Sequence, residues 1–231
     1  MLQQQFKVDE PNRVWVSDIT CFKVNGKYLY ICVILDLFSR KVVAHRVSPK
    51  NSTYLVTSTF RQVYRNRNEP QQLMFHSDQG PQYTSNTFRK LLRINKVVQS
   101  FSKSSRPHDN AVAESFFASM KREEIYRTQY CSERQFMQSV DTYIEFYNTK
   151  RPHSTLNYRT PDRFELLHAQ RKERTGWSGQ RVQNWVIFIF QPPSLRLLSL
   201  RYELPSCARE KKTPEIPSFL PWNKGRVLDM S

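Results

Sequence analysis

The chain has 231 residues, enough for one domain of ordinary size plus an extension, with a core that needs neither disulfides nor a structural metal. Lysine and arginine number 36 against 20 aspartates and glutamates, a net charge of +16. The expected partner is therefore a polyanion, nucleic acid first, because each neutralised phosphate releases counterions. Cys21, Cys32, Cys131 and Cys207 form no CxxC pair and no apolar run approaches membrane-spanning length, which argues against a zinc module and a membrane span and for a reduced, cytoplasmic protein.

Residues 14–20 are rich in β-branched and aromatic side chains and read as a strand with Val14, Val16 and Asp18 on one face. An aspartate on an apolar strand face needs something to offset its desolvation. A metal ion is one such partner, and a strand end at the water boundary is the other reading. Asn25-Gly26 marks a hairpin turn, and the near-continuous apolar run from Tyr28 to Leu35 predicts a central strand. Asp36 to Arg40 turns the chain into a third strand, Lys41 to Val47. Asp36 is a rival metal ligand, although Ser39 and Arg40 beside it suit a turn. After Pro49, Ser52 or Thr53 caps a helix to roughly Arg67, marked by Leu55, Val56, Thr59, Phe60 and Val63.

A short strand over residues 72–77 delivers Asp78 to its C-terminal end, where open α/β sheets build sites. In the loop 79–83 that follows, Gly80 is expected to permit an otherwise strained turn. Ser85 or Asn86 caps a helix carrying Phe88, Leu91, Leu92 and Ile94, and Val97-Val98 is a last brief strand. Ser100 to Arg106 reads as a mobile loop in which the serines, Lys103 and Arg106 suit phosphate contact.

A helix then spans 107–121, with Pro107 or Asp109 in its first turn. Val112, Ala113, Phe116, Phe117 and Met120 share one arc fit for burial. Glu114 lies off that arc, in one stripe with Asn110 and Lys121. Alone it reads as part of a solvated face. Ser132 to Gln135 is a capping box, and its helix packs through Phe136, Val140, Tyr143, Ile144 and Tyr147. Asn148 to His153 forms a basic turn, and Thr160-Pro161 opens a short helix through about Ala169. After Gln170 the periodicity is lost among charged residues, an isolated apolar run at 185–190 and recurrent prolines. The expected division is a lead at 1–12, a catalytic core at 13–128, a helical extension at 129–169, and an irregular tail, disordered or aberrant, at 170–231.

Asp18, Asp78 and Glu114 stand out together, with 35 residues between the last two. An oxygen-only set of this kind suits Mg²⁺ or Mn²⁺. Two such ions would hold the attacking and leaving oxygens of a phosphodiester displacement. Lys121 would meet the DNA backbone as a point charge. His76 reads as a packed strand residue, His45, His153 and His168 lack partners at metal spacing, and Glu123 faces nearly opposite the Glu114 stripe. Glu124, also more than two turns beyond Glu114, is an equally weak substitute.

Several phrases then carry a resemblance: Trp15-Val16-Ser17-Asp18-Ile19-Thr20, Asp36-Leu37-Phe38-Ser39-Arg40, His76-Ser77-Asp78-Gln79-Gly80, Asp109-Asn110-Ala111-Val112-Ala113-Glu114-Ser115-Phe116-Phe117 and Tyr147-Asn148-Thr149-Lys150-Arg151-Pro152-His153. In order and spacing they resemble the integrase-like DDE catalytic core of bacterial insertion-sequence transposases, the downstream-frame product of two-frame elements, in the retroviral integrase superfamily. The resemblance implies an α/β, ribonuclease H-like fold, a mixed five-stranded sheet with helices on both faces. It implies Asp18, Asp78 and Glu114 as the catalytic and metal-binding triad, with two Mg²⁺ ions for which Mn²⁺ substitutes. The implied reaction is cleavage at element ends and joining of a 3′-hydroxyl to another strand.

Implied partners are element-end and target DNA, other copies of the chain in a homo-oligomer on DNA, and a full-length transposase or upstream-frame DNA-binding protein. The location would be the bacterial cytoplasm at the nucleoid, with no membrane. Lys103, Arg106, Asn110 and Lys121 are the candidate DNA contacts. The sequence departs from the pattern in three places. Met1 stands only a few residues before the core, where relatives have DNA-binding helices upstream. Pro81 follows Gly80 where a serine is common, and the tail matches nothing in the family. Two other readings fit the same residues: a nuclease of this fold acting on RNA–DNA hybrids, and a catalytically silent truncated copy that binds DNA or a full-length transposase.

Overall fold

In the computed structural model, residues 8–102 and 111–176 are described. The sheet grows outward from β1 (Val14–Val24). Asn25 and Gly26 both take positive φ, 48° and 82°, the pair of left-handed residues that a two-residue hairpin turn requires. They return the chain as β2 (Lys27–Asp36), antiparallel to β1, and β3 (Val42–Ser48) pairs antiparallel with β2. On the other side of β1, β4 (Met74–Ser77) runs parallel to it and β5 (Val98–Phe101) parallel to β4, giving the order β3-β2-β1-β4-β5. This is the mixed five-stranded, ribonuclease H-like architecture expected.

Strand alternation sorts the core into two clusters. Trp15, Cys32 and Ile34 face α1 (Thr53–Asn66), α2 (Pro81–Thr84) and α3 (Asn86–Ile94), packing with Phe60, Tyr83, Phe88 and Leu92. Val16, Val33 and Leu35 face α4 (Ala111–Glu123) and α5 (Glu133–Thr149), packing with Ala113, Phe116, Met120, Val140 and Tyr147. Because both faces are covered, β2 is apolar along almost its whole length.

Local signals fix the helix ends. Ser132 Oγ accepts from the Gln135 amide at 3.1 Å, while Gln135 Oε1 accepts from the amide of Cys131, one residue before the cap, at 2.7 Å. At the far end of α5, Asn148 exchanges two hydrogen bonds with the backbone of Val42, at 3.0 and 2.9 Å. That occupies part of the outer edge of β3, which would otherwise invite another strand.

Several boundaries differ from the sequence reading. Gln72 takes a φ of 59°, so β4 begins at Met74 and not at residue 72. Pro81, read as part of the loop 79–83, opens α2, where its fixed φ suits the first helical position. Ser100 and Phe101 belong to β5, not to a mobile loop. Ser100 is buried and hydrogen-bonds His76 Nδ1 at 3.0 Å. Ile94, expected on a packing face, is 68% exposed at the end of α3.

Residues 8–12, the described part of the expected lead, touch the sheet. Val8 packs on the α4 side of the sheet, and the Asn12 amide donates to Asp36 Oδ2 at 2.6 Å. The last helix, α6 (Pro161–Gly176), continues past Ala169, with Lys172 pairing to Glu10 at 3.0 Å. Its residues are good helix formers that need no buried stripe. The expected tail beyond Gly176, and Lys103, Arg106 and Asn110, lie outside the described residues. Among the described residues Cys21, Cys32 and Cys131 are free, and no helix is long and apolar enough to cross a membrane.

Candidate active site

The register of the parallel strands sets the site. Val14 pairs with Met74, Trp15 with Phe75 and Val16 with His76. Two residues further along each chain come Asp18 and Asp78, so the two carboxylates leave neighbouring strands at the same level. Asp18 shares the face of Val14 and Val16, which is the face covered by α4. Ser17 points the other way, bonding Tyr83 Oη and the Val33 carbonyl, both at 2.8 Å.

Asp18 Oδ1 accepts the Ile19 amide at 2.7 Å. Its pKa is pushed up to about 6, chiefly by burial and further by the charges of Asp78 and Glu114. The Ile19 N–H and the Lys121 ammonium act in the opposite direction. Asp78, Glu114 and Lys121 thus all lie within electrostatic reach of Asp18.

Asp78 follows the end of β4, and its Oδ1 accepts the Gly80 amide at 3.1 Å. Gly80 itself has φ −55° and ψ 150°, an ordinary conformation, so the expected strained turn is not the reason for glycine. The reason is space: a Cβ at position 80 would stand 3.1 Å from Asp78 Oδ1. Without one, the carboxylate can fold back over the loop backbone.

Glu114 lies exposed in the first turn of α4, where the positive end of the helix favours a carboxylate. The burial of Ala113, Phe116, Phe117 and Met120 fixes the helix against the sheet, as the apolar arc predicts. Among the described residues no group of three histidine, cysteine, aspartate or glutamate side chains is arranged to hold a metal ion. The donor chemistry nevertheless fits a hard divalent cation. The three candidate donors are carboxylates, and two of them oppose the ionisation of the third, a balance that a nearby cation would reverse.

The rival residues are engaged elsewhere. Asp36 is fully buried and accepts the amides of Asn12, Phe38 and Ser39, the turn role expected. Burial pushes its pKa up, and the Asn12 amide opposes this. His45 meets Asp141 at 2.6 Å, and His168 packs edge-on to Phe38. Glu123 pairs with Arg151 at 2.8 Å and accepts from Tyr143 Oη, which holds its carboxyl below the usual range. Glu124 accepts from Ser139 Oγ at 2.6 Å. The support given by Gly80 was missed in the sequence reading, which weighed its backbone freedom and not the volume a side chain would need.

Two integrase core domain profiles match the chain, over residues 8–107 and 95–161. The chain is 38% identical over 170 residues to the transposase for insertion sequence element IS904 of Lactococcus lactis, covering 73% of this chain and 67% of that one. It is 33% identical over 166 residues to transposase InsF for insertion sequence IS3A of Escherichia coli, covering 71% of this chain and 58% of that one. It thus spans about two thirds of the first relative and less of the second. Among solved structures, the HTLV-2 integrase catalytic core domain in complex with magnesium aligns with a TM-score of 0.56 at 18% identity, over 68% of this chain and 97% of that one. That is a likeness of fold.

Proposed function

Because the chain belongs to the integrase-core family of bacterial insertion-sequence transposases, we propose that it cleaves DNA strands and transfers them, with Asp18, Asp78 and Glu114 as its catalytic carboxylates. The observation that carries this reading is the parallel pairing of Val16 with His76, two residues before Asp18 and Asp78, with Asp78 and Glu114 both acting on the Asp18 carboxyl. Asp18, Asp78 and Glu114 would hold Mg²⁺, or Mn²⁺ in its place. When bound, a pair of such ions stabilises charge on the attacking and leaving oxygens of an in-line phosphodiester displacement.

The protein's own contribution is to fix the donors. The Ile19 amide orients the Asp18 carboxylate, and the Gly80 amide orients that of Asp78. The packed arc of α4 sets the position of Glu114. Lys121, close enough to act on Asp18, offers a positive charge to the DNA backbone. Lys103, Arg106 and Asn110 are proposed as further DNA contacts. The partners are element-end and target DNA, further copies of this chain assembled on that DNA, and a full-length transposase or upstream-frame DNA-binding protein. The setting is the bacterial cytoplasm at the nucleoid.

The test is Mn²⁺-dependent nicking and joining of element-end DNA. Asp18→Asn, Asp78→Asn and Glu114→Gln should each abolish both reactions while the fold persists. Full activity in the triple variant overturns the assignment. Joined strands as product identify the transposase, whereas degraded RNA from an RNA–DNA hybrid would identify a nuclease of the same fold.

A further inference from the structure

A cavity of about 260 Å³ lies between the turn that links β2 and β3, the first turn of α4, and the segment after α5. Arg40, Ser115, Tyr147, His153 and Thr155 are among its lining residues. Arg40 closes the turn with a φ of 62°, its amide donating to the Asp36 carbonyl at 2.8 Å. Its Nη1 is buried and meets no acceptor among the described residues. Burial works against the guanidinium charge, with Tyr147 and Asp36 acting the other way. The Asp36 carboxylate, however, is already taken up by backbone amides.

His153 is only 8% exposed, and its Nε2 is likewise without a partner among the described residues. Its ring stands edge-on to Tyr147 at 4.5 Å and is also engaged by the Tyr147 carbonyl. Leaving a buried polar group unpaired costs about 1–3 kcal/mol, more when it is charged. Arg40 Nη1 is a donor and, with the other ring nitrogen held by the Tyr147 carbonyl, His153 Nε2 becomes one when the ring is protonated; on two residues that line one cavity, they suit an anion rich in acceptor oxygens. Ser115 and Thr155 line the same walls, and the first turn of α4 beside them adds its partial positive charge.

The cavity is not the place of the three carboxylates. Trp15 pairs with Asp36 and Asp18 with Val33, so the turn bearing Arg40 lies roughly 10 Å along β1 from Asp18 at about 3.3 Å per residue. On α4, however, Val112 and Ser115 line the cavity on either side of Glu114. We propose that this pocket binds a phosphate of the DNA strand next to, and not at, the position being cleaved, with Arg40 as the charged contact and His153 as the second. The proposal rests on the DNA-cleaving role proposed above. It gives Arg40 and His153 the task of setting the strand's register against Glu114. A phosphate oxygen at Nε2 favours the imidazolium, so the ring takes up a proton as the anion enters. Burial opposes that proton most strongly, with Arg151 and Arg40 adding to it, and the Tyr147 carbonyl and Glu123 favour it.

The test uses the full chain in EDTA, so that neither metal nor cleavage enters the reading. Inorganic phosphate is titrated in while the His153 ring is followed by NMR, and duplex DNA of mixed sequence is then added. Expected are a saturating shift of the His153 ring signals, a rise in the pH at which the ring titrates, and reversal of the phosphate response when DNA displaces it. Arg40→Met should lose the phosphate response and reduce the salt dependence of DNA binding by a log–log slope of about 0.9, the share of one phosphate. Arg40→Lys keeps the charge, should retain most of that slope, and separates loss of contact from loss of fold. A His153 ring indifferent to phosphate, or an unchanged salt slope in Arg40→Met, overturns the pocket as an anion site. Phosphate that binds but is not displaced by DNA overturns its assignment to the DNA backbone. Absence of cleavage activity leaves all of these readings intact.

Discussion

Asp18→Asn should make the metal-free protein more stable at neutral and alkaline pH. The carboxyl is pushed up to about 6 from its ordinary 3.8. At about 1.4 kcal/mol per unit, ionising it in the fold costs about 3 kcal/mol more than ionising it in the unfolded chain. A raised carboxyl pKa means that the folded state holds the proton more tightly. The resulting stability is fully present below about pH 4 and is lost as pH rises through about 6. An asparagine keeps the acceptor for the Ile19 amide and never ionises. The attraction of Lys121 is already contained in that shift, so a gain of about 3 kcal/mol is expected at about pH 8, or roughly 6–12 °C in Tm for a chain of this size. Thermal unfolding of both proteins in EDTA, at about pH 4 and about pH 8, reads this directly. The two should converge at the lower pH. Added Mg²⁺ or Mn²⁺ should raise the Tm of the wild type and leave that of Asp18→Asn nearly unmoved. An Asp18→Asn protein equal to or less stable than wild type in EDTA at the higher pH would refute the charge cluster.

Three other outcomes follow from the packing. Gly80→Ala places a Cβ 3.1 Å from Asp78 Oδ1 at a φ that alanine adopts freely, so stability should change by less than about 1 kcal/mol while Mn²⁺-dependent cleavage falls; unchanged cleavage would show that the carboxylate does not need that space. Asn148→Ala removes both side-chain hydrogen bonds to Val42 and should cost about 2 kcal/mol, seen as a lower urea midpoint, with self-association on gel filtration as the β3 edge opens. Phe116→Ala empties a site only 1% exposed, ringed by Phe117, Tyr143 and Tyr147, and should cost about 3–5 kcal/mol by chemical denaturation.

What was legible in the sequence was local and periodic. The arcs of α4 and α5 and the unbroken apolar run of β2 follow from which faces are covered, and each lies where its pattern places it. The misreadings arise where backbone conformation or a distant contact decides. Gln72 adopts a left-handed φ that no propensity announces, and Pro81 reads equally well as a loop residue or as a helix start. Val8 and Asn12 look like a free lead until Asp36, far along the chain, claims the Asn12 amide. The site was legible as three carboxylates in suitable elements but not as a geometry. The pairing of Val16 with His76, which brings Asp18 level with Asp78, is a register between distant strands. Arg40 and His153 were passed over for a related reason, since each looks ordinary until the fold leaves Arg40 Nη1 and His153 Nε2 unpaired among the described residues, on two residues lining one cavity.

The site and the core are linked energetically. Ionising Asp18 in the fold costs about 3 kcal/mol, with burial the largest cause and the charges of Asp78 and Glu114 adding to it. That is comparable with the loss expected from removing one large buried ring such as Phe116. The cluster can persist without a cation only if its carriers are held independently of it. Each is: β1 by its ladder to β2, β4 by the parallel register with β1 and β5, and α4 by the arc that buries Ala113, Phe116 and Met120. The carboxylates themselves ride at the margins of these elements, Asp78 just after a strand end and Glu114 on the exposed side of a first turn. There they can close on a cation without repacking either cluster of the core. Weakening the arc should therefore loosen Glu114 before it unfolds the protein. Phe116→Leu, a milder change than Phe116→Ala, is expected to lower Mn²⁺-dependent cleavage at temperatures well below its Tm. If cleavage instead tracked the folded fraction alone, the helix would be shown to position Glu114 without help from that ring.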